Sequence, residues 1–156
     1  MTFSHWQSHS GEEPIRIPAI GLDLRVRLPN RVSGGALEMI ETVNAPGFGP
    51  PLHRHPETEV FRILKGRYLY QVDDRRFHAE AGDVVSVPGG VAHAFVNVTD
   101  TPAEQLVMIL PGLDAAAFFT ELGEVMKAGI PARDVLNAFG RRWNVEFLGP
   151  PLRKDT

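Results

Sequence analysis

The sequence predicts an all-β barrel or sandwich followed by a short helical segment. Three observations carry that expectation. Short runs of alternating apolar and polar residues follow one another closely from Leu22 to Leu110, the pattern of half-buried strands. Gly and Pro, 15 and 13 of the 156 residues, fall mostly at the joints between those runs, where tight turns need them. After Pro111-Gly112 the apolar spacing changes to the three and four residues of a helix. A chain of this length buries a core without disulfides. One domain over residues 1–156 is expected, with the barrel at roughly 22–111 and the helical segment at 112–156.

Taken in order, Met1 to Pro14 is polar and expected to be loose, and His5 and His9 read as part of a solvated tail. Leu22 to Leu28 alternates at period two and is a strand. Ala36 to Val43 is a second strand, with Ile40 and Val43 breaking strict alternation. Asn44 to Leu52 is a Gly/Pro-rich loop. Glu57 to Leu64 and Arg67 to Val72 are strands joined by a turn at Lys65-Gly66. Arg75 to Ala79, Val84 to Val87, Val91 to Val98 and Glu104 to Leu110 follow, separated by turn residues. Asp83 reads as turn chemistry. Asp114 to Lys127 carries Ala115, Phe118, Phe119, Leu122, Val125 and Met126 at helical spacing, with Asp114 as N-cap and Gly129 beyond the end. Pro131 at the first helical position would open a second helix, Ala132 to Phe139. Val145 to Leu148 is a short final strand.

Composition excludes several classes. The net charge of -3 offers no basic surplus for nucleic acid or an anionic membrane. There is no cysteine, so neither disulfides nor thiolate chemistry is available. No apolar run is long enough to span a bilayer. The opening MTFSHWQSHSGEEP has no positive n-region and no apolar h-region, so it does not read as a secretory signal. The expected setting is the cytoplasm, and the expected partner a small molecule.

The chemistry concentrates in Gly47 to Gly66. His53 and His55 lie one residue apart, and Glu59 follows. On one regular strand, His53, His55, Glu57, Glu59, Phe61 and Ile63 would share a face. Two imidazoles and a carboxylate on one face suit a metal. The competing reading is a pair of surface histidines. Downstream, Gly82 to Asn97 supplies His93, which alone would read as a packed or capping histidine. Glu57 reads as an exposed or rim carboxylate, and Asn97 as a turn-bonding residue. Phe61, Tyr68, Tyr70, Phe95 and Met108 are candidates for a cavity lining or for ordinary core.

Gly47, His53, His55, Glu59 and Gly66, at intervals of five, one, three and six residues, resemble the first motif of the cupins. Gly82, Pro88, Gly90, His93 and Asn97 resemble the second. The resemblance implies a double-stranded β-helix, or jelly-roll barrel, with His53, His55, Glu59 and His93 as ligands of one divalent transition metal: Fe, Mn, Ni, Cu or Zn. Glu59 is a ligand or a base that takes a proton from bound substrate. The helical segment and the tail WNVEFLGPPL resemble, more loosely, small bacterial cupins grouped near quercetin dioxygenases. That likeness implies a homodimer, with the helices outside the barrel or across the dimer contact. The function expected is a metal-dependent dioxygenase acting on a small chelating molecule. The alternatives are a sugar or keto-acid isomerase or epimerase, or a non-catalytic metal-dependent binding module. Arg54 and Arg62 are the cations nearest the histidines in sequence, and no Gly-rich helix start offers a phosphate site.

Overall fold

A computed structural model describes residues 2–154. Met1 of the expected loose tail, and Asp155 and Thr156 of the expected C-terminal segment, lie outside them. The strands are β1 (Ile15–Ile17), β2 (Leu22–Leu28), β3 (Glu38–Asn44), β4 (Pro51–Arg54), β5 (Thr58–Lys65), β6 (Arg67–Val72), β7 (Arg75–Glu80), β8 (Val84–Val87), β9 (His93–Asn97), β10 (Ala103–Leu110) and β11 (Glu146–Pro151). Two helices, α1 (Ala115–Val125) and α2 (Arg133–Gly140), lie between β10 and β11. All pairings are antiparallel. One sheet runs β1-β2-β3-β10-β5-β8 and the other β11-β4-β9-β6-β7. The two sheets enclose the core, as a jelly roll requires.

Side chains alternate as the pleat demands. β3 and β10 bury every second residue, so Ile40, Thr42, Val107 and Ile109 face inward. Met108 is half-buried on the opposite face of β10, which removes it from the candidate cavity lining. Phe61, Tyr70 and Phe95 form an aromatic cluster with centroids 5.4 to 5.6 Å apart. Tyr68 is fully buried and donates to Asn44 Oδ1 at 2.8 Å, while Tyr70 donates to Gln105 Oε1. Both tyrosines are therefore core.

Several expectations change. The N-terminal tail is docked, because Trp6 Nε1 donates to the Arg27 carbonyl at 2.9 Å and Arg31 stacks 4.8 Å from the Trp6 ring. The sequence does not announce β1; three residues are too few for a periodicity to show. Pro131 is not at the first helical position. Ala132 is extended (φ -59°, ψ 153°), so α2 starts at Arg133. Asp114 does cap α1, accepting from Ala117 N at 3.1 Å. Asp83 accepts from Glu80 N at 2.8 Å, and Asn97 ties a turn together through Asn44, Thr99 and Thr101. The largest change concerns the histidine stretch. β4 and β5 belong to different sheets, with the chain bending between them at Pro56 and Glu57. No single strand face holds His53 through Ile63.

One glycine is required where the sheets meet. A Cβ at Gly49 would overlap the Phe95 carbonyl oxygen of β9. Backbone cannot yield as a flexible side chain does, so Gly49→Ala is expected to cost about 1–3 kcal/mol or more. Urea unfolding of the two proteins checks this; an unchanged midpoint would contradict the close approach.

Candidate metal centre

The first three groups of the centre sit on opposite walls. His53 lies in β4 and His55 just beyond its end, while Glu59 lies in β5 of the facing sheet. His93 opens β9 and is the direct cross-strand partner of His53. The fold thus converts a sequence-local motif into a cluster spanning the barrel. One ligand atom from each of His53, His55, Glu59 and His93 lies within 4.8 Å of all the others. The imidazole centroids are 4.4 to 5.4 Å apart.

Each ring is anchored through Nδ1. His53 Nδ1 meets the Pro51 carbonyl at 2.7 Å, His55 Nδ1 the Glu57 carbonyl at 3.0 Å, and His93 Nδ1 the Val91 carbonyl at 2.9 Å. A carbonyl oxygen only accepts, so Nδ1 carries the proton in all three rings. Nε2 of each neutral ring is then a free donor of its lone pair. Such outer partners orient metal-binding histidines and raise their basicity.

Glu59 Oε1 lies 2.8 Å from His55 Nε2 and 2.9 Å from His93 Nε2. Two imidazole lone pairs and a carboxylate oxygen approach so closely only with positive charge between them, a proton or a cation. The donor set therefore fits a divalent metal. The electrostatics agree. Burial, reinforced by the neighbouring His93 and His55 rings, pushes His53 down to about 3, so it stays a neutral ligand. Burial works to raise Glu59, but the His55 and His93 rings, which donate to it from Nε2 only when they take up a second proton, outweigh burial and hold the carboxyl well below its usual range. His55 is opposed by burial yet raised on balance by Glu59. Glu57 is a half-buried rim group, its Oε1 3.5 Å from His55 Nδ1.

The cluster opens onto one apolar cavity, with an empty volume of about 930 Å³ counting its mouth. Phe61 and Phe95 line it, as two of the five candidates; Tyr68, Tyr70 and Met108 do not. Sequence reasoning does not find Leu113, Phe118, Phe119 and Leu122 as lining residues. The helical spacing of Phe118 and Leu122 signals a buried face, but not that this face borders the site. Among the described residues no lysine or arginine lines the cavity. Arg54 instead forms a surface ion pair with Glu146 at 2.9 Å, and Arg62 is exposed.

Fold and site together define a jelly-roll protein with a three-histidine, one-glutamate cluster compatible with a metal ion. Residues 40–109 match the family model described as Cupin domain, and the solved structures that share this fold include cupins. An uncharacterised protein of Methanocaldococcus jannaschii is 29% identical over 84 residues, covering 53% of this chain and 67% of that protein. The solved RmlC-like cupin from Shewanella frigidimarina is 21% identical, with a TM-score of 0.61 over 74% of this chain and 99% of that one. KdgF from a Halomonas species gives a TM-score of 0.65 at 12% identity, covering 72% and 99%. A predicted oxalate decarboxylase from Thermotoga maritima gives 0.56 at 24% identity, covering 58% and 80%. These structures share the fold; their identities are too low to transfer an activity. No helix among the described residues is long and apolar enough to cross a membrane.

Proposed function

We propose that this protein is a metal-dependent dioxygenase acting on a small chelating molecule. The observation that supports it best is the union of a histidine-and-glutamate donor set with an apolar, cation-free cavity. Iron, manganese, nickel or copper held there would supply Lewis acidity and a redox centre for dioxygen chemistry. In a dioxygenation both oxygen atoms enter the substrate, so no external reductant is needed. His53, His55 and His93 would hold the ion, and their Nδ1–carbonyl bonds fix the rings. Glu59 would either complete the donor set or, once the His55 and His93 Nε2 lone pairs turn to the ion, serve as the base for the substrate's chelating hydroxyl. The apolar walls exclude water from that transfer. The absence of a cavity cation among the described residues weighs against a sugar-phosphate isomerase, whose dianionic substrate would enter without a counter-charge. With this reading go a cytoplasmic setting and a homodimer, supported by the absence of cysteine and by the family resemblance respectively. A monomer in sedimentation equilibrium would remove the dimer.

The direct test is oxygen uptake by iron-, manganese-, nickel- and copper-loaded protein over a panel of enediols and ortho-dihydroxy aromatics. No uptake with any metal would sink the proposal, and anaerobic turnover of a keto sugar would replace it with isomerisation. Glu59→Gln keeps the three imidazoles but cannot take up the proton. Its turnover number is expected to fall roughly 10²–10⁴-fold when variant and wild type are compared at equal metal loading. A full rate in this variant would remove Glu59 from the chemistry.

A further inference from the structure

The cavity is built by two parts of the chain with different characters. Its polar end comes from His53, His55, Glu57 and Glu59, inside the segment that matches the family model. Much of its remaining wall comes from outside that segment. β2 contributes Leu22 and Leu24, and the turn into α1 contributes Leu113. α1 itself adds Phe118, Phe119 and Leu122. α1 packs on β1 and on α2, and α2 packs on β11, so the helical segment bridges an edge strand of each sheet. The helices are thus part of the site, not only an outer layer.

The lining sets the chemistry of an occupant. Apart from the donor cluster and Glu57, its polar side chains are Thr42 and Asn44. Asn44 Oδ1 is already engaged by Tyr68. Thr42 Oγ1 is buried, faces the cavity and has no hydrogen-bond partner within the protein. Strand register gives its position. Glu59 pairs with Ile109, Ile109 pairs with Glu38, and Thr42 lies four residues further along β3. Four residues of strand is roughly 13 Å. One polar end, a long apolar body and a single hydroxyl well along it describe an elongated ligand. They do not fit a dicarboxylate or a sugar, whose polar groups would meet hydrocarbon on every side.

We propose that the cavity takes a small molecule with one chelating head, held by the histidine and glutamate cluster, and an uncharged, largely apolar body. The body lies against Leu113, Phe118, Phe119 and Leu122 and reaches Thr42. This inference rests on the metal-centre reading and adds the substrate class.

Alkyl hydroxamates separate the two parts. They chelate through the head, and zinc allows titration without redox chemistry. Acetohydroxamate, butanohydroxamate, hexanohydroxamate and octanohydroxamate would be titrated calorimetrically into zinc-loaded protein, with oxalate as the charged comparator. The expected result is a Kd that falls by ~fourfold per methylene along the series, with oxalate weaker than octanohydroxamate. Phe119→Ser, at a half-buried wall position, should flatten that dependence, with its largest loss at octanohydroxamate and its smallest at acetohydroxamate. Met108→Ser, on the other face of β10, should leave the whole series unchanged. Leu113→Ser serves as a second wall variant if Phe119→Ser does not fold. A Kd independent of chain length, or oxalate as the tightest ligand, would overturn the apolar-body proposal and leave the metal centre standing. Failure of the metal-centre reading shows separately, as zinc that does not bind in the absence of any hydroxamate. That result overturns the proposal too, because the head then has nothing to chelate.

Discussion

His93→Ala is expected to empty the metal centre. The wild-type protein should carry close to one transition-metal ion per chain after purification and dialysis, and the variant close to none. His93 is 2% exposed and pairs across the strands with His53, so its ring is held against the other donors from within the barrel wall. Removing an outer-shell partner already costs a metal site 10–100-fold. Loss of a direct ligand should cost at least ~100-fold in affinity, or about 3 kcal/mol. The variant also strips Glu59 of one of its two imidazole contacts. Metal analysis and a competition titration against a chelator of known affinity measure the effect. His93→Asn, with a smaller change in volume, tells a lost ligand from lost packing. His53→Ala should behave alike. Near-stoichiometric metal in both His53→Ala and His93→Ala would refute the centre as described.

The second large effect lies away from the metal. Glu38 is buried in β3 at 2% exposure, and its Oε1 accepts from Ala115 N, at the first turn of α1, at 3.0 Å. Burial pushes its carboxyl up to about 7, against the backbone N–H groups of Ala115, Asn30 and Leu113 that pull it down. The folded state therefore holds the proton more tightly than the unfolded chain, whose value is near 4.5. Below that value both states are protonated and the stability contributed by the neutral form is fully present. Between about 4.5 and 7 the unfolded chain ionises first, so stability falls as pH rises. Above 7 both states are ionised and the slope from this group vanishes. The full excursion is on the order of 3 kcal/mol. Glu38→Gln keeps an acceptor for Ala115 but cannot titrate. Urea unfolding at pH 5 and pH 8 should show the variant losing less stability than wild type across that interval. Identical pH dependence in the two proteins would dismiss Glu38 as the source.

Much of the centre is legible in the amino-acid sequence. Both motifs appear with complete spacing, and all four proposed ligands converge. The route to convergence is not legible there. Alternation tells which side of a strand is buried, but a strand's hydrogen-bonding partners lie far away along the chain. A shared face from His53 to Ile63 requires one continuous strand. Proline at position 56 offers no backbone N–H to a ladder, and the chain bends there instead, sending β4 and β5 to different sheets. Glu59 reaches the histidines because the barrel closes, not because it lies six residues after His53.

The same division holds for the helices. Residue spacing alone determined that α1 exists, that Asp114 caps it, and that Phe118 and Leu122 are buried together. Those properties depend on groups within a few residues of one another. That the buried face borders the metal cavity was decided by tertiary packing against β1 and α2. The elevated carboxyl of Glu38 was decided the same way, since Ala115 lies 77 residues away along the chain. By itself the sequence determined the donor atoms and the strand and helix content. The tertiary structure decided which donors face one another and what surrounds them, because burial and long-range contacts set the dielectric in which those atoms act.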